Sequence, residues 1–293
     1  MTPERWHVLW VYLAFMLVAT GLALLQRWVR PKRTGDSLWR KYPVYLLLNL
    51  AFLLVTWLPA SWRALTVVLA AMGSLAAWEL VRAVYPRAGL LPCVTATLVL
   101  AAGWLDRPQW LTLWLAAVLL LVAAIALVGP GQGFGRRMLA LAGTVVYLPL
   151  CLVPFGWVRS AEEAGNLAVF LYLTVAANDA LAQITGQLIG RRPLAPRISP
   201  GKTVEGALGG IVFAGLMGFA LSSALGWGYP LGAALGLAMG LAGLIGDLIA
   251  SVWKRELGLK NFSALLGAQG GVLDRFDGLL FAAPVFYLLT HRM

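Results

Sequence analysis

Long apolar runs separated by short polar connections are the dominant pattern along this chain. The runs occupy Trp6–Leu25, Val44–Leu58, Trp62–Val84, Leu90–Leu105, Trp110–Val128, Met138–Trp157, Leu167–Ile189, Gly206–Trp227, Leu231–Trp253 and Val272–Thr290. A helix needs about 20 such residues to cross roughly 30 Å of hydrocarbon. Helices suit that setting because they satisfy their own backbone hydrogen bonds. The pattern therefore predicts an all-α, polytopic transmembrane helix bundle of about nine to ten spans, the second and fourth runs being short. No internal repeat, low-complexity tract or soluble domain interrupts it.

Composition supports lipid as the solvent. Of 293 residues, 60% are hydrophobic and 12% charged, and the mean hydropathy is +0.81. A soluble domain carries about 25% charged residues, so water-facing surface is scarce here. The 13 Trp suit the membrane–water interface. Cys93 and Cys151 lie inside apolar runs, as packing residues with no disulfide or metal-binding spacing. No clear small-residue cleavage site follows the first run, which is expected to be a retained span.

The net charge of +11 would suggest a nucleic-acid partner in a soluble protein, but its placement argues otherwise. Alternating the ten runs from an external N-terminus puts eighteen of the 23 Lys and Arg on one side. They fall in five groups: Arg27 to Lys41, Arg82 with Arg87, Arg136 with Arg137, Arg191 to Lys202, and Lys254 to Arg275. Only Arg5, Arg63, Arg107, Arg159 and Arg292 fall opposite. The positive-inside rule makes the rich side cytoplasmic. Loops so charged meet lipid headgroups, and no nucleic acid is expected.

Acids inside spans need a reason, since each costs roughly 2.5–3.5 kcal/mol at a helix centre. Asp179, Asp247, Asp274 and Asp277 stand out, the last two on one helix face. Carboxylates gathered at one depth repel unless a cation lies between them, and Mg²⁺ bridges carboxylates to substrate phosphates. The alternative is salt bridging with Arg255 and Arg275, or compensation of a helix dipole. The N-terminal half has one intramembrane acid, Glu79. Chemistry is thus expected in residues 161–293, with residues 1–160 as a lipid-facing scaffold.

Two long connections flank these acids. In Gly190–Glu205, the Gly201-Lys202-Thr203 triplet resembles the end of a Walker A loop. Position 196 is proline where that motif needs glycine, and no strand precedes it, so a P-loop is rejected. What survives is a Pro-stiffened turn leading into a helix near Thr203, whose N-terminus beside Lys202 suits a phosphate. For this loop alone, headgroup binding by Arg191, Arg192 and Arg197 explains the residues as well. The second connection, Lys254–Gly271, packs Lys254, Arg255, Lys260 and a glycine pair ahead of Asp274-Arg275-Phe276-Asp277. That density suits a polyphosphate, whose transfer depends on positioning and charge neutralisation.

At these residues the chain resembles the phosphatidate cytidylyltransferase (CDP-diacylglycerol synthase) family. The family signature runs Ser-x-x-Lys-Arg, Lys-Asp, Pro-Gly-His-Gly-Gly, Asp-Arg-x-Asp. Here it reads Ser251, Lys254-Arg255, Lys260-Asn261, Gly267-Ala268-Gln269-Gly270-Gly271 and Asp274-Arg275-Phe276-Asp277, with spacing preserved. Upstream, Asp179 to Gly190 and Ser199 to Gly206 match a second stretch, and the resemblance covers about residues 175–290.

The resemblance implies transfer of CMP from CTP to phosphatidic acid or a related anionic lipid, with Mg²⁺ required and a second cation allowed. Asp247 and Asp274 are the implied metal ligands, with Asp277 and Asp179 in support. Lys202, Lys254, Arg255, Lys260 and Arg275 are implied to hold phosphates, and Ser199, Thr203 and Ser251 to donate hydrogen bonds. Asn261 and Gln269, also placed at the substrate, replace the family's aspartate and histidine. They keep hydrogen bonding without acid–base capacity, and with Gly267-Ala268 in place of Pro-Gly they suggest a divergent paralogue. The setting read from the basic loops is the bacterial inner membrane with the site facing the cytoplasm, and a homodimer is one assembly open to the chain. The readings weighed against this are a CTP-dependent lipid kinase, a transporter and a non-catalytic lipid-binding partner.

Overall fold

The structure is a computed structural model that describes residues 3–29, 62–84, 161–267 and 270–290, with scattered positions between 43 and 52. The spans expected at Leu90–Leu105, Trp110–Val128 and Met138–Trp157, most of Val44–Leu58, and Gln269 lie outside the described residues.

The described helices match the remaining apolar runs. They are α1 (Pro3–Val29), α2 (Trp62–Val84), α3 (Ala161–Ile189), α4 (Val204–Leu221), α5 (Tyr229–Glu256) and α6 (Leu273–Thr290). Among the described residues, three segments are long and apolar enough to cross a bilayer: Asn166–Ile189, Val204–Leu225 and Tyr229–Glu256. Helix α3 is central, packing on α4, α5, α6 and α1, while α2 lies against α6 and α3. Phe170 of α3 anchors the core, edge-on to Trp227 at 5.3 Å and stacked on Phe286 at 5.6 Å.

The expectation of an all-α chain needs one correction. Part of the connection expected to be a turn forms an antiparallel hairpin of β1 (Pro193–Ala195) and β2 (Ser199–Thr203). Two prolines three residues apart favour extended backbone, which lets the strands pair. Thr203 then ends the hairpin and starts α4, its Oγ1 accepting the Gly206 N–H at 3.1 Å. Glu205, in the first turn, accepts the backbone N–H groups of Arg191 and Arg192 at 3.0 and 3.2 Å. The acid therefore ties the hairpin's root to the helix N-terminus, where negative charge is favoured.

Glycines set how closely the helices approach. A Cβ on Gly218 of α4 would collide with the Gly232 carbonyl of α5 and lie 2.8 Å from Gly236 Cα. Between lipid-soluble helices, such close backbone contact supplies the packing that water would otherwise drive. The outer faces remain apolar, with Leu208, Val212, Leu216 and Phe219 exposed along α4 and Leu237, Leu241 and Ile245 along α5. Gly218→Val is expected to cost about 1–3 kcal/mol by forcing α4 from α5. Thermal unfolding in detergent checks this, and an unshifted midpoint would rule out so close a crossing.

Candidate active site

The same glycine crossings bring the acids together. Where α5 meets α6, a Cβ on Gly246 would lie 2.6 Å from the Asp277 carbonyl and 3.1 Å from Gly278 Cα. Asp247 and Asp277 are the chain neighbours of these two glycines, so their backbones are held in contact. On the other side, Gly210 of α4 and Gly240 of α5 leave room for Asn178, which is 1% exposed. Asn178 donates to the next residue, Asp179, at 3.2 Å. Three helices thus deliver Asp179, Asp247 and Asp277 to one cavity of about 360 Å³, within the range of small-molecule sites.

Lysines from the two connections sit among these acids. Lys202, on β2, pairs with Asp247 at 2.6 Å. Lys254, at the end of α5, lies 2.9 Å from Asp274 and 3.9 Å from Asp277. It also stands 5.5 Å from the centre of the Phe262 ring. Lys254, Asp274 and Asp277 are 14%, 4% and 6% exposed as side chains, so their charges are poorly screened. Asp247 is more open, at 31%, and accepts a long 3.5 Å bond from Ser251.

Asp274 has a second task. Its Oδ2 accepts the N–H groups of Phe262 and Gly271 at 2.9 and 2.8 Å, while Oδ1 faces Lys254. The carboxylate therefore gathers both ends of the second connection. Gly270 is required there, since its φ is +87° and a Cβ would lie 2.7 Å from Asp274 Oδ2.

Of the residues named from sequence, Asp179, Asp247, Asp274, Asp277, Lys202, Thr203, Lys254, Asn261 and Arg275 line the cavity. Thr203 does so while its hydroxyl oxygen caps α4. Ser199, Ser251, Arg255 and Lys260 are not among the lining residues. Ser251 is buried against Asp247. Arg255 donates from Nε to the Ile198 carbonyl at 3.0 Å, joining the two connections. Gln183 and Gln187, which are not among the residues expected at the site from sequence, also line the cavity. They lie four and eight residues after Asp179 on α3, a spacing that marks one helix face.

Comparison with known proteins fits this geometry. The model of the cytidylyltransferase family matches residues 40–293. This chain belongs to the cytidylyltransferase family. A phosphatidate cytidylyltransferase of Bacillus subtilis (strain 168) is 33% identical over 237 residues, which cover 76% of this chain and 87% of that protein. One from Aquifex aeolicus (strain VF5) is 45% identical over 123 residues, 42% of this chain and 46% of that protein. An uncharacterized protein, YnbB, of Escherichia coli (strain K12) is 31% identical over 182 residues, 59% of this chain and 60% of that protein. The chain thus spans about half the length of one of these relatives and most of another.

As a cytidylyltransferase, the chain is a nucleotidyltransferase, and its departures from the signature have structural meaning. Asn261 stands on the cavity wall, keeping donor and acceptor capacity without charge. Gly267 has φ +58°, a backbone that the family's proline cannot adopt. The Gly267 N–H bonds to the Ala264 carbonyl at 3.0 Å, and the Leu266 N–H to the Gly270 carbonyl at 2.8 Å. These bonds make a tight turn that only a residue free to take positive φ can close.

Proposed function

We propose that this chain transfers CMP from CTP to phosphatidic acid or a related anionic phospholipid, giving CDP-diacylglycerol and pyrophosphate. The observation that carries the reading is the cavity in which Lys202, Lys254 and Arg275 face four aspartates at one end of an apolar helix bundle. A lipid phosphate oxygen attacks the α-phosphorus of CTP, and the bond from that phosphorus to the β-phosphate's bridging oxygen breaks. The lipid supplies the nucleophile, so no side-chain nucleophile is required. Lys202 and Lys254 meet the charge on the triphosphate, and Arg275, exposed at the cavity, meets a phosphate from the open side. Gln183, Gln187 and Asn261 supply neutral hydrogen-bonding groups for the nucleotide.

The donor set suits Mg²⁺. The lining acids offer hard oxygen ligands. Among the described residues, no three His, Cys, Asp or Glu side chains form a metal-holding group. Mg²⁺ is commonly held by one or two carboxylates with substrate phosphates and water completing the shell. Asp247 is the most open of the paired acids and would hold the ion, with Asp179 and Asp277 alongside. Asp274, nominated from sequence, keeps its oxygens on Lys254 and two backbone N–H groups. When bound, the ion neutralises charge at the α-phosphate and the departing pyrophosphate.

The basic loops support a cytoplasmic-facing site in a bacterial inner membrane, in a bundle of nine to ten spans. Purified protein given CTP, Mg²⁺ and phosphatidic acid in detergent is expected to yield CDP-lipid and pyrophosphate in equal amounts by mass spectrometry. A phospholipid with CDP would mark a lipid kinase instead, and no product would leave a binding partner.

A further inference from the structure

Glu79 stands apart in the sequence, yet it meets the second connection from the N-terminal half of the chain. It lies on α2, is 1% exposed, and is among the largest fully buried side chains. Its Oε1 accepts the Ser263 hydroxyl at 2.7 Å and the Val272 N–H at 2.9 Å, and its Oε2 accepts the Leu273 N–H at 2.8 Å. Leu273 opens α6, so the carboxylate caps the N-terminus of the helix that bears Asp274 and Asp277. A buried carboxylate there gains from the helix dipole and takes up backbone donors that α6 cannot pair internally.

The two carboxylates divide the work. Asp274 takes the N–H groups of Phe262 and Gly271, and Glu79 takes those of Val272 and Leu273. Ser263 extends the set, donating to Glu79 while accepting the Leu265 N–H at 3.1 Å. A Cβ on Gly271 would collide with the Glu79 carboxylate and displace it from these donors. The glycine pair is therefore shaped by two acids, Gly270 against Asp274 and Gly271 against Glu79.

We infer that Glu79 is a positioning residue. It fixes the second connection and the start of α6, so that Asp274 and Asp277 meet Lys254 in register. The catalytic consequence rests on the nucleotidyl-transfer reading, whereas the anchoring does not. Glutamine at this position keeps one acceptor oxygen and turns N–H donors toward backbone N–H groups, leaving at least one of them unmatched.

The test compares Glu79→Gln with the unmodified chain in detergent, by amide hydrogen exchange and by CDP-lipid turnover. Exchange at residues 262–273 is expected to speed up by roughly ten-fold or more while α4 and α5 keep their protection. Turnover is expected to fall by roughly ten-fold or more at saturating CTP. Unchanged exchange at 262–273 overturns the inference, as does a loss of protection spread through the whole bundle. Local loosening with full turnover overturns the catalytic part. If Glu79→Gln gives no folded protein, Ser263→Ala decides, since it removes one of the three donors. It should show the same local signature at roughly two- to five-fold, and no change in either readout overturns the inference. An unmodified chain that makes no CDP-lipid defeats the proposed reaction, and the exchange measurement still decides the anchoring.

Discussion

Lys254→Met is expected to lower CDP-lipid turnover by roughly 10²–10³-fold, the scale of losing one charge-stabilising donor at a reacting centre. Lys254 is the side chain between Asp274, at 2.9 Å, and Asp277, at 3.9 Å. Methionine fills similar space without charge, so two buried carboxylates lose their shared counter-ion. Removing one partner of a buried pair typically costs about 3–5 kcal/mol, so the thermal midpoint should fall as well. Turnover at saturating CTP, with the midpoint measured in the same detergent, checks both effects. Activity within three-fold of the unmodified chain would mean that Lys254 serves neither the acids nor the substrate.

Asp247→Asn should produce a loss of similar size with a different dependence on metal. Asp247 reaches Lys202 at 2.6 Å and remains partly open to the cavity. Asparagine keeps the shape but loses the charge that attracts a divalent ion. The Mg²⁺ concentration for half-maximal turnover is therefore expected to rise by roughly ten-fold or more. Asp274→Asn is the informative contrast. Its carboxylate is occupied by Lys254, Phe262 and Gly271, so turnover should collapse with little change in the Mg²⁺ requirement. A raised requirement in Asp274→Asn, with none in Asp247→Asn, would exchange the roles given to these two acids.

The outcome for the lysines and serines shows what spacing can and cannot convey. Lys202 and Lys254, both expected to hold phosphate, both line the cavity. Arg255 follows Lys254 directly, yet a helix turns about 100° per residue. It faces away, holding the hairpin through the Ile198 carbonyl. Ser251 lies one helical turn after Asp247 and is buried against it instead of facing the cavity. Lys260 lies on irregular backbone, where no periodicity fixes the direction of a side chain, and Ser199 opens β2 outside the cavity lining.

The sequence alone determined the solvent, the runs that become helices among the described residues, and the grouping of acids with two basic connections. These follow from local rules: span length, the cost of charge in hydrocarbon, and the signature residues in order. Only the tertiary structure decided which partners each acid meets. Glu79 is separated from Leu273 by 194 positions, and no local pattern signals that the two touch. Likewise, Gly246 and Gly278 are ordinary small residues in a line of text. Their meaning comes from two backbones in contact, which carry Asp247 and Asp277 to the same cavity. Packing between distant segments creates those neighbours, and it depends on the whole bundle at once.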